Sequence, residues 1–94
     1  MNKELKKFDV VEYLTTEEDI QAYLNAALEE DDNKYLFQAL GNIAKARNIS
    51  QLSKDTGMSR EGIYKALSGE GNPSFKTVTK ITKALGLKIQ FAGA

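Results

Sequence analysis

The chain has 94 residues, 41% of them hydrophobic, enough for one modest core and too few for two. It contains no cysteine and no histidine, which removes disulfides, thiolate zinc sites, cysteine nucleophiles and imidazole bases, and with them most hydrolytic and metal chemistry. The formal net charge of zero hides a division: residues 1–33 carry three lysines against ten acids, and residues 34–94 carry ten basic side chains against three acids, so the parts stand at −7 and +7.

Such a split predicts an acidic part and a basic part with different partners, or two surfaces that simply meet, within one chain or across a dimer. No apolar run reaches the length of a membrane span. Lys3, Glu4, Lys6 and Lys7 interrupt the place where a signal peptide needs an apolar stretch, so a cytoplasmic chain with no membrane partner is expected.

In chain order, Phe8, Val10, Val11, Tyr13 and Leu14 form an apolar segment, extended or loosely turned, that should pack on the body. Thr15 and Thr16 followed by Glu17, Glu18 and Asp19 mark a helix start, with hydroxyl caps and carboxylates in the positively polarised first turn. Ile20, Tyr23, Leu24, Ala27 and Leu28 recur at helical spacing and predict one apolar stripe ending near Glu30. Asp31, Asp32 and Asn33 break the pattern, and Lys34 to about Arg47 reads as a second helix with Leu36, Phe37, Leu40, Ile43 and Ala44 inward.

The run Asn48–Leu67 reads as two short helices joined by a sharp turn. Asn48 is a good N-cap, and Gln51 stands where it can reach back in a variant of the capping box. Gly57 ends the first helix in the left-handed conformation, and Ser59 caps the second. Leu52, Met58, Ile63 and Leu67 are spaced to bury one side, while small Ser53 allows close approach. Arg60, Glu61, Tyr64 and Lys65 are left outward on the second helix, as in a helix-turn-helix that offers side chains to the DNA major groove.

Gly69–Pro73 is a loop, Ser74 caps a fifth helix with Val78, Ile81 and Leu85 inward, and Gly86 ends it. Three threonines make that helix intrinsically weak. Leu87, Ile89 and Phe91 then alternate with polar residues at the period of a half-buried strand, which needs a partner either in Phe8–Val11 or in its own copy across a two-fold axis.

Residues Lys34–Leu87 resemble the Xre/Cro-type phage-repressor helix-turn-helix fold. The whole chain resembles a narrower group, the addiction-module antidote (antitoxin) proteins, through FDVVEYL at Phe8–Leu14, EEDIQAYLNAALEE at Glu17–Glu30, SREGIYKALSGEGNPSF at Ser59–Phe75 and KALGLKI at Lys83–Ile89. The resemblance implies an all-α, lambda-repressor-like bundle of about five helices with a short C-terminal strand. The implied organisation is a single domain, 1–94: an acidic segment and helix at 1–33, a DNA-binding core at 34–87 and a strand at 88–94. It further implies a small basic toxin partner of the RelE/ParE-like class, and base contacts at the positions of Arg60, Glu61 and Lys65. One departure stands out: repressors of this type often place a phosphate-contacting Gln first after the N-cap of the first motif helix. Ile49 holds that slot here, so the contact falls to Asn48, Ser50 or Gln51, or is missing.

The candidate DNA-binding residues are therefore Asn48, Ser50, Gln51, Ser59, Arg60, Glu61, Tyr64, Lys65, Ser74 and Lys76. Arg60 suits guanine or phosphate, Tyr64 a thymine methyl or phosphate, and Glu61 either cytosine or the orientation of Arg60. The bland alternative is a solvated helix with a Glu61–Lys65 pair. Ser74–Lys76 offers a helix N-terminus to one phosphate, unless the loop only turns the chain. The loop lacks the Lys-Ser/Thr pair of a nucleotide-binding P-loop, and Glu29–Asp32 lacks the spacing of a calcium loop, so neither a cofactor nor a metal is expected. Glu17, Glu18 and Asp19 are the candidate toxin contacts, and Leu87, Ile89 and Phe91 the candidate homodimer interface. The expected function is an operator-binding, autorepressing antitoxin and not an enzyme. A stand-alone phage-type repressor and an interaction module that keeps the fold without reading DNA are the alternatives.

Overall fold

The computed structural model describes residues 10–91 and residue 93. A 3-10 turn, Val10–Tyr13, precedes five α-helices: α1 (Glu17–Glu29), α2 (Asn33–Ala46), α3 (Ile49–Thr56), α4 (Arg60–Ala66) and α5 (Phe75–Ala84). None of them is long and apolar enough to cross a membrane. Phe8 and Asp9, at the start of the expected apolar segment, lie outside the described residues. The rest of that segment turns onto α2, where Leu14 is buried and Tyr13 is left exposed.

Local chemistry sets most boundaries. The side chains of Thr16, Asn48, Ser59 and Ser74 each accept a hydrogen bond from a backbone N–H in the first turn of the helix they precede. Asp32 does the same for α2, from the N–H of Lys34 at 2.9 Å. Gly57 (φ 74°) ends α3 and Gly86 (φ 81°) ends α5. After α5 the N–H of Gly86 donates to the carbonyl of Lys83 and that of Leu87 to Thr82, the paired bonds of a Schellman cap. Asp31 ends α1 at φ 58°, a left-handed backbone that Asp, like Asn, adopts more readily than other side chains with a Cβ, though less readily than glycine.

Packing then does what propensity does not. At seven and eight residues, α4 and α3 are too short to persist alone in water. They are held by a core in which Ile43 of α2, Ile63 of α4 and Ile81 of α5 are fully buried, joined by Leu40, Leu52, Leu67 and Leu85. A Cβ on Gly41 would stand 3.3 Å from the carbonyl oxygen of Leu67, so α2 packs closely on the end of α4 and a larger residue would need that backbone to give slightly. The threonines of α5 are accommodated by back-bonding: Thr79 and Thr82 donate their hydroxyls to carbonyls three residues earlier.

Two expectations change. Leu28, expected in the inward stripe of α1, is 58% exposed. It lies about 80° around the helix from Ile20, at the edge of what α2 can cover. The alternating segment Leu87–Phe91 forms no strand among the described residues, and Val10 and Val11, its candidate partners within the chain, lie in a helical turn. Leu87 packs against the core, while Ile89 and Phe91 are exposed.

Candidate nucleic-acid interface

The pair α3–α4 is fixed by its turn as much as by its core. The hydroxyl of Ser53 donates to the carbonyl of Met58, crossing the turn. The Thr56 hydroxyl donates to the carbonyl of Leu52 at 2.8 Å and accepts from the N–H of Met58 at 3.1 Å. Ser53 thus does more than make room, and Thr56, not singled out from sequence, is buried because its hydroxyl serves both sides of the turn. With Gly57 free to take its positive φ, these bonds set the angle between the two helices.

That frame leaves all ten candidate DNA-binding residues exposed: Asn48, Ser50 and Gln51 at the start of α3, Ser59, Arg60, Glu61, Tyr64 and Lys65 on α4, and Ser74 and Lys76 at the start of α5. They sit on three helices that pack through one core, α3 touching both α4 and α5. Several are already engaged. Asn48 accepts from the N–H of Gln51 at 3.1 Å, and Ser59 from that of Gly62 at 2.9 Å. Ser74 accepts from Thr77, so its first-turn capping is satisfied within the chain. The Gln51 side chain does not reach back to complete a capping box; its amide donates to Asp55 at 2.8 Å. Ile49, in the slot where repressors often carry Gln, packs on the core.

On the outward face of α4, Glu61 and Lys65 do not form the ion pair their spacing allows. Among the described residues no carboxylate pairs with Arg60 or Lys65, and both are exposed. Tyr64 has a neighbour that the sequence did not reveal: the ammonium of Lys45, at the end of α2, lies 5.9 Å from the centre of its ring. Lys45 is exposed and adds a further positive charge beside α4. Chemically, the surface offers rigidly mounted donors and cations, suited to phosphates and to base edges.

The acidic candidates fall elsewhere. Glu17 accepts from Arg47 at 3.2 Å, and the same guanidinium donates to the carbonyl of Leu85 at 3.3 Å, tying the start of α1 to the end of α5. The Asp19 carboxylate accepts from the Thr15 hydroxyl, and Glu18 is exposed. Lys45 and Arg47 were legible only as the end of a basic helix; which groups they meet depends on how the helices cross.

A family model described as probable addiction module antidote protein matches residues 4–93, nearly the whole chain. An uncharacterized protein of Haemophilus influenzae is 59% identical over 90 residues, which cover 96% of this chain and 93% of that one. No solved structure matches the chain significantly.

Proposed function

The chain belongs to the family of probable addiction module antidote proteins, and on that premise we propose that it is a DNA-binding antitoxin. Membership implies a toxin partner. In this reading the chain represses its own operon through an Xre/Cro-like α3–α4 unit, and neutralises a small basic RelE/ParE-like toxin encoded beside it. The observation that carries the DNA half is the exposure of Arg60, Tyr64 and Lys65 on a helix pinned to the body by Ile63, within the part of the chain that stands at +7. One such helix reads only a few base pairs, so two half-sites about one turn apart are expected. Ile89, 41% exposed, and Phe91, 90% exposed, supply an apolar edge for the two-fold pairing that would bring two copies together.

The test is a gel shift of the chain's own promoter fragment across salt concentrations. Binding whose logarithm falls linearly with the logarithm of salt supports the reading, and no shift at low salt overturns it. Sedimentation at micromolar concentration is expected to give a dimer, weakened by truncation before Leu87.

The toxin half rests on the acids of Met1–Asn33. A toxin that grips nucleic-acid phosphates presents a basic surface, which Glu17, Glu18, Asp19 and their neighbours attract and accelerate toward contact. Reversing all three to lysine is expected to slow and weaken toxin binding while operator affinity is kept or raised. Unchanged inhibition at low and high salt would remove these three from the neutralising surface.

A further inference from the structure

We propose that the groove between α1 and α2 is the seat of one long cationic side chain of the toxin, its stem against the Tyr23 and Tyr35 rings and its charge held by Glu30. The inference rests on the antidote reading and says where on the acidic half the partner docks. The groove, about 380 Å³, is lined by Tyr23, Ala26 and Ala27 from α1, by Glu30 just past its end, and by Tyr35 and Ala39 from α2, with Gln38 and Asn42 as its amide part. The three alanines leave the slot open. Tyr23 is held in place by the Asn42 amide, which donates to its hydroxyl at 2.8 Å, and Tyr35 is 48% exposed.

Glu30 is the charged side chain that lines the groove. Glu29, Asp31 and Asp32 flank it in sequence, all four are exposed, and Glu29 and Glu30 meet no cation among the described residues. The basic residue nearest in sequence, Lys34, directs its stem toward Gly69. The other end of α1 is different, because Glu17 there already has Arg47.

An apolar slot with aromatic walls and a carboxylate at its mouth selects an arginine or lysine. The methylenes lie on alanine and ring surface, and the head group meets ring faces and carboxylate together. A neutral apolar side chain would bury Glu30 beside it without a partner, at a cost in desolvation. A nucleic acid or an anionic membrane would be repelled by Glu30 and the acids that flank it. Charge complementarity therefore points to a basic protein, the class already expected of the toxin.

The experiment measures affinity of the full-length chain and its variants for the product of the neighbouring reading frame. Glu30→Lys and Ala26→Trp both alter exposed positions, and circular dichroism checks that each remains helical. Each is expected to weaken the complex by roughly tenfold or more. The Glu30→Lys loss should shrink as salt rises, the Ala26→Trp loss should not, and Glu30→Gln should fall between wild type and Glu30→Lys. Wild-type binding with all three variants unaffected overturns the groove and leaves the antidote reading standing. No binding by the wild-type chain overturns the antidote reading, and the groove with it.

Discussion

Helix α1 and helices α3–α5 are attached to α2 in different ways. On the basic side, α3, α4 and α5 converge on one core, where Leu52, Ile63, Leu67, Ile81 and Leu85 are all buried against Leu40 and Ile43. Capping and turn bonds there use the local hydroxyls, and among the described residues no carboxylate pairs with Arg60 or Lys65. On the acidic side α1 buries a single residue, Ile20, and adds half-buried Tyr23, Leu24 and Ala27. It is completed by two polar ties, Tyr23–Asn42 and Glu17–Arg47. A rigid frame suits the DNA-groove contact proposed for this surface. Helix α1 nevertheless lies along α2 in the most extensive helix pair among the described residues, and Ile20 joins the same core as Ile43 and Ile63, so the difference lies in its exposed acidic face and polar ties.

The largest expected effect tests that contrast directly. Ile63→Ala removes a fully buried side chain where three helices meet, and should cost about 2–5 kcal/mol in chemical denaturation and abolish operator binding. Leu24→Ala, on the half-buried face of α1, should cost clearly less and leave operator binding intact. Equal losses from the two would mean that the half-buried face of α1 holds the fold together as much as α4 does.

The next effect sharpens the reading of the basic side. Arg60→Ala should cost roughly 1–3 kcal/mol on the preferred operator and relax base preference at its contact. Lys76→Ala should weaken all DNA about equally and lower the salt slope by about one. Sequence-blind losses from both would leave Arg60 a phosphate grip only.

How much of this was legible in the residues depends on the range of the force involved. The caps at Thr16, Asn48, Ser59 and Ser74 and the turns at Gly57 and Gly86 act within a few residues, and the sequence predicts them at the positions observed. Asp32, the cap of α2, reads in the sequence only as part of a polar break. Periodicity located Ile20, Ile43, Ile63 and Ile81 in the core, but overreached at Leu28, since a stripe shows which way a side chain points and not how far the neighbouring helix extends. Alternation at Leu87–Phe91 reports which side chains are apolar. It says nothing of whether a hydrogen-bonding partner strand exists. The Lys45–Tyr64 and Arg47–Glu17 contacts join elements far apart in sequence, and no local pattern encodes them.

Arg47 offers a smaller test of the attachment of α1. Its guanidinium is one-third exposed and Glu17 is 80% exposed, so solvent screening discounts the ion pair to about 0.2–1 kcal/mol. Arg47→Ala also strips the Leu85 carbonyl of a charged donor, and the total loss is expected to be about 1 kcal/mol. Hydrogen exchange should quicken first in α1 and the end of α5, while α3 and α4 keep their protection. A uniform loss of protection would place Arg47 in the main core instead.

The smallest effect is a gain, and it separates stability from function within the acidic half. Asp31 holds φ 58°, where its Cβ crowds the backbone, and its carboxylate stands just past the end of α1, where the helix dipole is negative. Asp31→Gly relieves both, at the expense of a more flexible unfolded chain, and should stabilise by about 0.5–1 kcal/mol in thermal or chemical denaturation. Asp31→Asn removes the charge and keeps a side chain that tolerates this conformation, so it should gain less. Asp31→Ala removes the charge but puts a side chain without a local hydrogen bond into the left-handed backbone, and should lose stability. If the acids at the end of α1 serve the toxin, Asp31→Gly and Asp31→Asn should slow toxin association alike, although only the first adds much stability. Association rates that track stability across the three variants would show instead that Asp31 acts through the order of α1 and not through its charge.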